Sequence, residues 1–319
     1  MRHDRQKHWV KTLQTTVKSS VTFKGTGLHT GVEVRMSVHP ASAEYGIWFQ
    51  RTDVEGKDAL IPARWDAVTD TQLCTRIANA DGVSVSTVEH LLAALAGCGV
   101  HNALIELDGP EVPLLDGSAA PFVSGILAHG LRTLDAPVYA IEILKTVQVS
   151  TDQAFASIEP ADHLTIDFYI EFADAAIGQQ DKTLNMANGA FVHELCDSRT
   201  FCLKSDVDKM RDQGLIVGGD LSSALVVDGD VVVTPGGMRH ADEPVRHKML
   251  DALGDLALAG APILGHYTGR RAGHSITNRL LREVFADPAA YRIVQCDRER
   301  ASTLPGAGLQ RADRPALVA

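Results

Sequence analysis

The sequence predicts an α+β fold made of two similar halves. Apolar residues alternate over residues 32–38, which is the period of a half-buried strand. Residues 88–95 carry apolar side chains at the i, i+3, i+4 and i+7 spacing of a helix. The order of strands followed by helix, strand and helix returns in the second half of the chain. We therefore expect sheet and helix layers in two similar domains.

In the first half, residues 47–49 indicate a further strand after the alternating run. The helix should begin at Ser86, because serine is a good N-cap, and end at the glycines of residues 97–99. Residues 102–107 return as a strand. A second helix should start near Ser118, which completes the first half.

The second half should begin after the turn-rich residues 133–137, so we predict domains over residues 11–136 and 137–300. Strand-like runs restart there, at residues 139–149, 154–158 and 164–172. Asp242 or Glu243 can cap a helix that has Pro244 in its first turn and Gly260 at its end. A strand over residues 262–268 and a helix over residues 275–285 follow.

Between these elements, residues 207–233 form an inserted unit. A short helical piece should lead to two apolar strands that turn at Asp228 and Gly229. The pattern alone does not indicate what this unit does.

Composition limits the possible partners. The chain has 319 residues and 45% hydrophobic residues, enough for two cores. Its net charge of -10 argues against nucleic acid, which needs clustered Lys and Arg. Its five cysteines lack CxxC pairs, which predicts neither a disulfide framework nor a thiolate zinc site and favours a reducing cytoplasm. We recognise no signal peptide and no apolar run long enough for an integral membrane segment.

A polar stripe follows the predicted helix after Pro244. At about 100° per residue, His247, Asp251 and Asp255 share roughly a third of the circumference, and the apolar side opposite should be the buried one. The stripe suits metal ligation. The alternative is a solvated charged face with i,i+4 pairs.

A second polar pair, Glu89 and His90, lies opposite the apolar stripe of the Ser86 helix. Taken alone, Glu89 could complete a capping box with Ser86, and His90 could be an ordinary surface or core histidine. Together with His247 and Asp251, however, the pair predicts a three-ligand catalytic zinc site with an open fourth position. Glu89 would then be the base that accepts a proton from water.

Six motifs occur in order along the chain. They are GLHTG at 27–31, STVEHLLAAL at 86–95, DGSAAPF at 116–122, SRTF at 198–201, VRHKMLD at 245–251 and GH at 273–274. These motifs closely resemble the UDP-3-O-acyl-N-acetylglucosamine deacetylase family, the zinc amidases of lipid A biosynthesis. The similarity runs from about residue 11 to residue 285, so that only the tails, including a basic N-terminus, fall outside it.

The resemblance implies two α+β domains whose helices pack face to face, one insert in each domain, and an active site between the domains. It implies that His90, His247 and Asp251 bind Zn²⁺ and that Glu89 is the general base.

The resemblance also implies roles for residues that the spacing does not single out. His274, oriented by Asp255, would be the cationic partner of the leaving amine or of the oxyanion. Thr200 would hydrogen-bond that oxyanion. Lys248 and Phe201 would contact the substrate.

The substrate that the family implies is UDP-3-O-(3-hydroxyacyl)-N-acetylglucosamine, from which acetate is removed in the committed step of lipid A biosynthesis. The second insert, at about residues 202–233, would form the passage for the acyl chain. We expect a monomer. The residues expected to line the passage are Leu203, Val207, Ile216, Ala224 and Val226.

Two other functions fit part of the pattern. Two histidines and a carboxylate also form the facial triad of non-haem iron oxygenases, which consume dioxygen. The other alternative is a carbohydrate- or lipid-binding module that uses the metal only for structure.

Overall fold

The computed structural model describes residues 12–207, 218 and 223–317. Within these ranges, no helix combines the length and apolar character that crossing a membrane requires. The α-helices are α1 (Glu89–Gly97), α2 (Ala120–His129), α3 (Glu243–Ala257), α4 (His274–Ala286) and α5 (Arg298–Thr303). Short 3₁₀ segments lie at Trp65–Ala67 and Arg311–Asp313, and a π-helical turn at Phe191–Leu195.

The strands fall into two groups along the chain. Those before residue 138 are β1 (Leu13–Val17), β2 (Val21–Thr26), β3 (Glu33–Pro40), β4 (Ile47–Arg51), β5 (Leu60–Pro62), β6 (Val68–Asp70), β7 (Arg76–Ala78), β8 (Ser84–Val85), β9 (Ala103–Leu107) and β10 (Leu131–Pro137). Those after it are β11 (Tyr139–Ile143), β12 (Val147–Ser150), β13 (Phe155–Glu159), β14 (Leu164–Glu171), β15 (Gln179–Asn185), β16 (Phe201–Leu203), β17 (Leu225–Asp228), β18 (Val231–Val232), β19 (Ile263–Arg270) and β20 (Tyr291–Gln295).

The two main sheets share an arrangement of five strands, to which the second sheet adds β11 and β20 beside β19. In the first, the order is β2-β3-β9-β4-β5, with β9 antiparallel to β3 and parallel to β4. In the second, β12-β13-β19 is extended by β14 and β15, with β19 antiparallel to β13 and parallel to β14. Each central strand follows one long helix and precedes another. The predicted α+β class is confirmed, and the repeated order of elements is present in the sheets.

Three smaller sheets complete the fold. β6, β7 and β8 form one between β5 and α1, and β16, β17 and β18 form another between β15 and α3. In the second of these sheets, β17 and β18 turn at residues 229–230, next to the turn predicted at Asp228 and Gly229. The helical piece predicted before them lies largely outside the described residues, and the inserted unit stays a prediction. β10 pairs with β1 and extends across the boundary placed at residues 136 and 137. The division into two domains therefore stays a prediction.

Helices α1 and α3 pack against each other and bring the halves together. The fit is close at Gly254, where an added Cβ would lie 2.0 Å from the backbone oxygen of Glu89. Because this helix pair lies between the sheets, α3 is buried on its polar side as well as its apolar side. The prediction that only the apolar side is buried was wrong, and so is the alternative of a solvated charged face.

The start of α1 also differs from its prediction. The helix begins at Glu89 rather than at Ser86, because Thr87 adopts a left-handed conformation with φ of 58°. Asp242 precedes α3 without capping it through its side chain; its carboxylate binds Arg246 instead. Local propensity was therefore overridden by contacts made elsewhere in the fold.

Candidate active site

His90, His247 and Asp251 lie around one point between α1 and α3. Their ligand atoms are all within 4.8 Å of one another, and all three residues are buried. The Nε2 atoms of His90 and His247 lie 3.6 Å and 3.4 Å from Oδ1 of Asp251. These distances leave the three donor atoms facing a shared space, which is the geometry that a metal ion needs.

The imidazole of His247 is oriented by the segment before β16. Its Nδ1 lies 3.0 Å from the backbone oxygen of Ser198, which can only accept, so Nδ1 carries the proton. The Nε2 lone pair then faces Asp251. Burial lowers the pKa of His247 to about 4, although Asp251 acts in the opposite direction. The low pKa keeps the ring neutral, as a metal ligand must be.

The carboxylate of Asp251 is held in its ionised form. Its Oδ2 accepts a bond of 2.7 Å from Nζ of Lys248, which leaves Oδ1 facing the two imidazoles. Burial alone would raise the pKa of Asp251, but the positive charge of Lys248 is the largest opposing effect, and the pKa stays well below its usual range. Two imidazoles and one carboxylate therefore fit a divalent cation such as zinc.

Glu89 lies beside this group of ligands. Its Oε2 accepts a hydrogen bond of 3.0 Å from the backbone N–H of Thr75, so the capping box with Ser86 was the wrong alternative. Burial raises the pKa of Glu89, although His274 and His90 counteract part of the effect. A buried carboxylate with a raised pKa is suited to accepting a proton near neutral pH.

His274, at the start of α4, faces Glu89 from the other side. Its Nδ1 lies 2.8 Å from Oδ2 of Asp255, and its Nε2 lies 3.9 Å from Oε1 of Glu89. Burial lowers the pKa of His274, but Asp255 and Glu89 outweigh burial and raise the pKa to about 9. The imidazole is therefore a cation at neutral pH. Asp255 is itself held by the hydroxyl of Thr75 at 2.6 Å.

The three proposed ligands line a cavity of about 290 Å³ together with Glu89 and His274. The ring of Phe201 lies edge-on to that of His247, with centroids 6.3 Å apart, and contacts Phe172 in the same way. The backbone N–H of Thr200 donates to Gly117 and its carbonyl accepts from Leu225, which places Thr200 in the wall. The lining residues are Leu28, His29, Leu73, Cys74, Thr87, Glu89, His90, Phe172, Thr200, Phe201, Cys202, Leu203, Asp206, His247, Lys248, Asp251 and His274.

The residues predicted for the acyl passage are placed unevenly. Leu203 lines the cavity, and Ile216 lies outside the described residues. Val207, Ala224 and Val226 are buried in the insert, but they are not among the residues that line the cavity. Their role in binding an acyl chain stays a prediction.

Several residues around the site were missed by the sequence reasoning. Thr75 bonds both Glu89 and Asp255 from a loop that carries no recognisable pattern. Glu111 is fully buried and accepts bonds from Thr30 and from Thr87. Such long-range hydrogen bonds leave no periodic signal. The available sign of Glu111 in the sequence was its position directly after Gly109 and Pro110, which end the predicted strand.

A buried pair of imidazoles and a carboxylate, with a buried glutamate and a cationic histidine beside them, is an arrangement typical of a metal-dependent hydrolase. The model of the LpxC family, described as UDP-3-O-acyl N-acetylglycosamine deacetylase, matches residues 14–286. The chain belongs to this family, which is a family of metalloenzymes.

Curated relatives carry a consistent name. A protein of Phenylobacterium zucineum called UDP-3-O-acyl-N-acetylglucosamine deacetylase is 47% identical over 280 residues, covering 88% of this chain and 96% of the relative. Relatives of the same name are 43% identical in Myxococcus xanthus, over 93% of both chains, and 41% identical in Haemophilus influenzae, over 88% and 92%. These names support an amide-hydrolysing enzyme and give no support to an oxygenase or a non-catalytic binding module.

Proposed function

We propose that the protein is a zinc-dependent amide hydrolase that removes acetate from UDP-3-O-(3-hydroxyacyl)-N-acetylglucosamine, the committed step of lipid A biosynthesis. The observation that carries the proposal is the convergence of His90, His247 and Asp251 beside Glu89. Membership of the deacetylase family supports the substrate class. We also propose that the enzyme acts in the cytoplasm as a monomer.

The three ligands suit zinc better than magnesium or calcium. Two imidazoles and one carboxylate leave a fourth position open, as in catalytic zinc sites, whereas magnesium and calcium prefer oxygen ligands alone. When bound, zinc polarises a carbonyl oxygen and makes water acidic enough to lose a proton near neutral pH.

The residues beside the ligands supply the proton transfers. Glu89, whose pKa is raised by burial, accepts the proton of the attacking water. His274, kept cationic by Asp255, stabilises the oxyanion and then protonates the departing amine. Lys248 lines the cavity and keeps Asp251 ionised through its hydrogen bond to Oδ2.

The wall of the cavity is suited to the acylated sugar. Thr200 lies in the wall, where it can donate a hydrogen bond to the oxyanion, and Phe201 and Leu203 provide apolar surface beside it. Each buried acyl methylene contributes about 0.8 kcal/mol, so a passage along the second insert would supply much of the affinity. We include Val207, Ile216, Ala224 and Val226 in this passage on the family resemblance alone.

The experiment is to measure acetate release from the acylated UDP-sugar by the purified protein, with metal analysis of the same sample. We expect acetate to appear together with about one zinc ion per chain, and both to be lost after chelation and regained on adding zinc. Zinc-loaded protein that releases no acetate would refute the proposal. Dioxygen uptake in the presence of iron would favour the oxygenase instead.

A further inference from the structure

The segment that orients His247 is itself fixed by a buried ion pair that the proposed chemistry does not use. Glu243 is fully buried in the first turn of α3, one helical turn before His247. Arg199 is 5% exposed and directly follows Ser198, whose carbonyl accepts the Nδ1 proton of His247. The pair therefore joins helix α3, which carries His247, to the irregular segment of residues 198–200 before β16.

The contacts between the two residues use both carboxylate oxygens of Glu243. Oε1 of Glu243 accepts from both the backbone N–H and Nε of Arg199 at 2.9 Å, and Oε2 accepts from Nη2 at 3.1 Å. Nη2 also donates to the carbonyl of Gly237 at 2.7 Å. Oε2 accepts a further bond of 2.6 Å from the backbone N–H of Arg239. Because backbone as well as side-chain groups are bound, Glu243 fixes the path of the main chain.

The same main-chain segment also forms the wall of the cavity. Thr200 follows Arg199 directly, and its backbone N–H bonds Gly117 of the first half at 2.8 Å. The segment of Ser198, Arg199 and Thr200 is thus held from both halves. A shift of its backbone would move the partner of His247 and the proposed oxyanion donor together.

We infer that Glu243, through Arg199, is a positioning residue: it fixes the Ser198 carbonyl so that His247 presents Nε2 to the metal, and it fixes Thr200 in the cavity wall. This inference rests on the proposed metal-dependent function. Hydrogen-bond partners behind metal ligands typically change metal affinity or activity by about 10–100-fold when removed. Glu243 does not bond His247 itself but acts through Arg199 and Ser198, so we expect an effect on zinc affinity at the lower end of this range, about 10-fold.

The test compares zinc affinity in Glu243→Gln, Arg199→Lys and the wild type. Apo-protein would be titrated with zinc against a chromophoric chelator, well below the unfolding transition of each variant. Glu243→Gln keeps the size of the side chain but loses the charge, and we expect its zinc Kd to rise about 10-fold. Arg199→Lys should also raise the Kd, because lysine cannot reproduce the fork of bonds, but by less, because lysine keeps the positive charge and the backbone N–H that Glu243 binds. If Glu243→Gln does not fold, the lysine variant provides the comparison.

A matched control is Asn102→Ala. Asn102 is also buried and bonded, to Gln14 and to the backbone of Gly46, but it lies outside the cavity. Its loss should lower stability while leaving the zinc Kd unchanged. An unchanged Kd in both Glu243→Gln and Arg199→Lys would overturn the inference, as would an equal rise in the control.

The outcome is distinguishable from failure of the proposed function. Wild-type protein that binds zinc but releases no acetate would refute the deacetylase proposal and leave the Kd comparison intact. Active wild-type protein with unaltered zinc binding in the two variants would refute only the positioning role.

Discussion

Helices α1 and α3 bring side chains to the same site in different ways. Helix α1 reaches the site with its first turn, through Glu89 and His90, whereas α3 runs past it with the middle of its length. The first turn of α1 is fixed by contacts from loops and strands, such as Thr75 and Glu111. The ligands of α3 are fixed by helix geometry itself, since residues four apart share one face.

The largest effect should follow removal of a ligand from either helix. His90→Ala and Asp251→Ala each take away one of three donors, so bound zinc and deacetylase activity should both be lost. Metal analysis and acetate release would measure this. His163→Ala is a control, because His163 is a half-buried histidine in the second half that lies outside the cavity. Full zinc content in His90→Ala would show that α1 contributes no ligand.

Replacing the base should separate chemistry from metal binding. General acid–base groups typically contribute about 10²–10⁴-fold, so Glu89→Gln should lower kcat by that factor with zinc still bound. Glu106→Gln, on strand β9 and outside the cavity, should leave kcat unchanged. Normal turnover in Glu89→Gln would exclude Glu89 as the base.

Two glycines test how closely each helix must pack. In Gly254→Ala the new Cβ would lie 2.0 Å from the backbone oxygen of Glu89, whereas in Gly97→Ala it would meet the Phe191 ring at 2.1 Å. Overpacking typically costs about 1–3 kcal/mol, so denaturant titration should show both variants destabilised. Only Gly254→Ala should also lower kcat, because the backbone that must move there carries Glu89. Equal kcat in the two variants would contradict this difference between the helices.

The smallest effect should be on the pH dependence of activity, which Asp255 on α3 influences through His274. Because Asp255 and Glu89 together raise the pKa of His274 to about 9, activity that requires the cation should decline as the pH rises through that value. In Asp255→Asn one raising charge is lost, so the decline should move to lower pH. The pH profile of kcat would measure it. A decline at the same pH in wild type and variant would exclude His274 as the titrating group.

The difference between the helices also explains what could be predicted from the sequence. His247, Asp251 and Asp255 are visible in the sequence because a regular helix converts spacing into a shared face. Glu89 was open to a capping interpretation, since a local motif cannot reveal that Thr75 would compete for its carboxylate. Glu243 was expected to be a possible cap, and its pairing with Arg199 across 44 positions leaves no local pattern.

The fold class was predictable for the same reason, because alternation and helical spacing repeat along both halves. The exact ends of helices were harder to predict from the sequence. The left-handed Thr87 that delays α1 is stabilised by Glu111, 24 positions later, and no local rule for serine caps includes such a partner. The packing of α1 on α3 likewise could not be predicted, because the close approach of Gly254 to Glu89 joins residues far apart in the sequence.

With one proposed ligand on α1 and two on α3, a bound zinc ion would cross-link the halves of the chain. Loading the site and folding the molecule are then a single linked equilibrium. Each tenfold increase in free zinc above the dissociation constant should add about 1.4 kcal/mol to the free energy of unfolding. A cell short of the metal would hold less of this protein in its native form, besides holding less of it in active form.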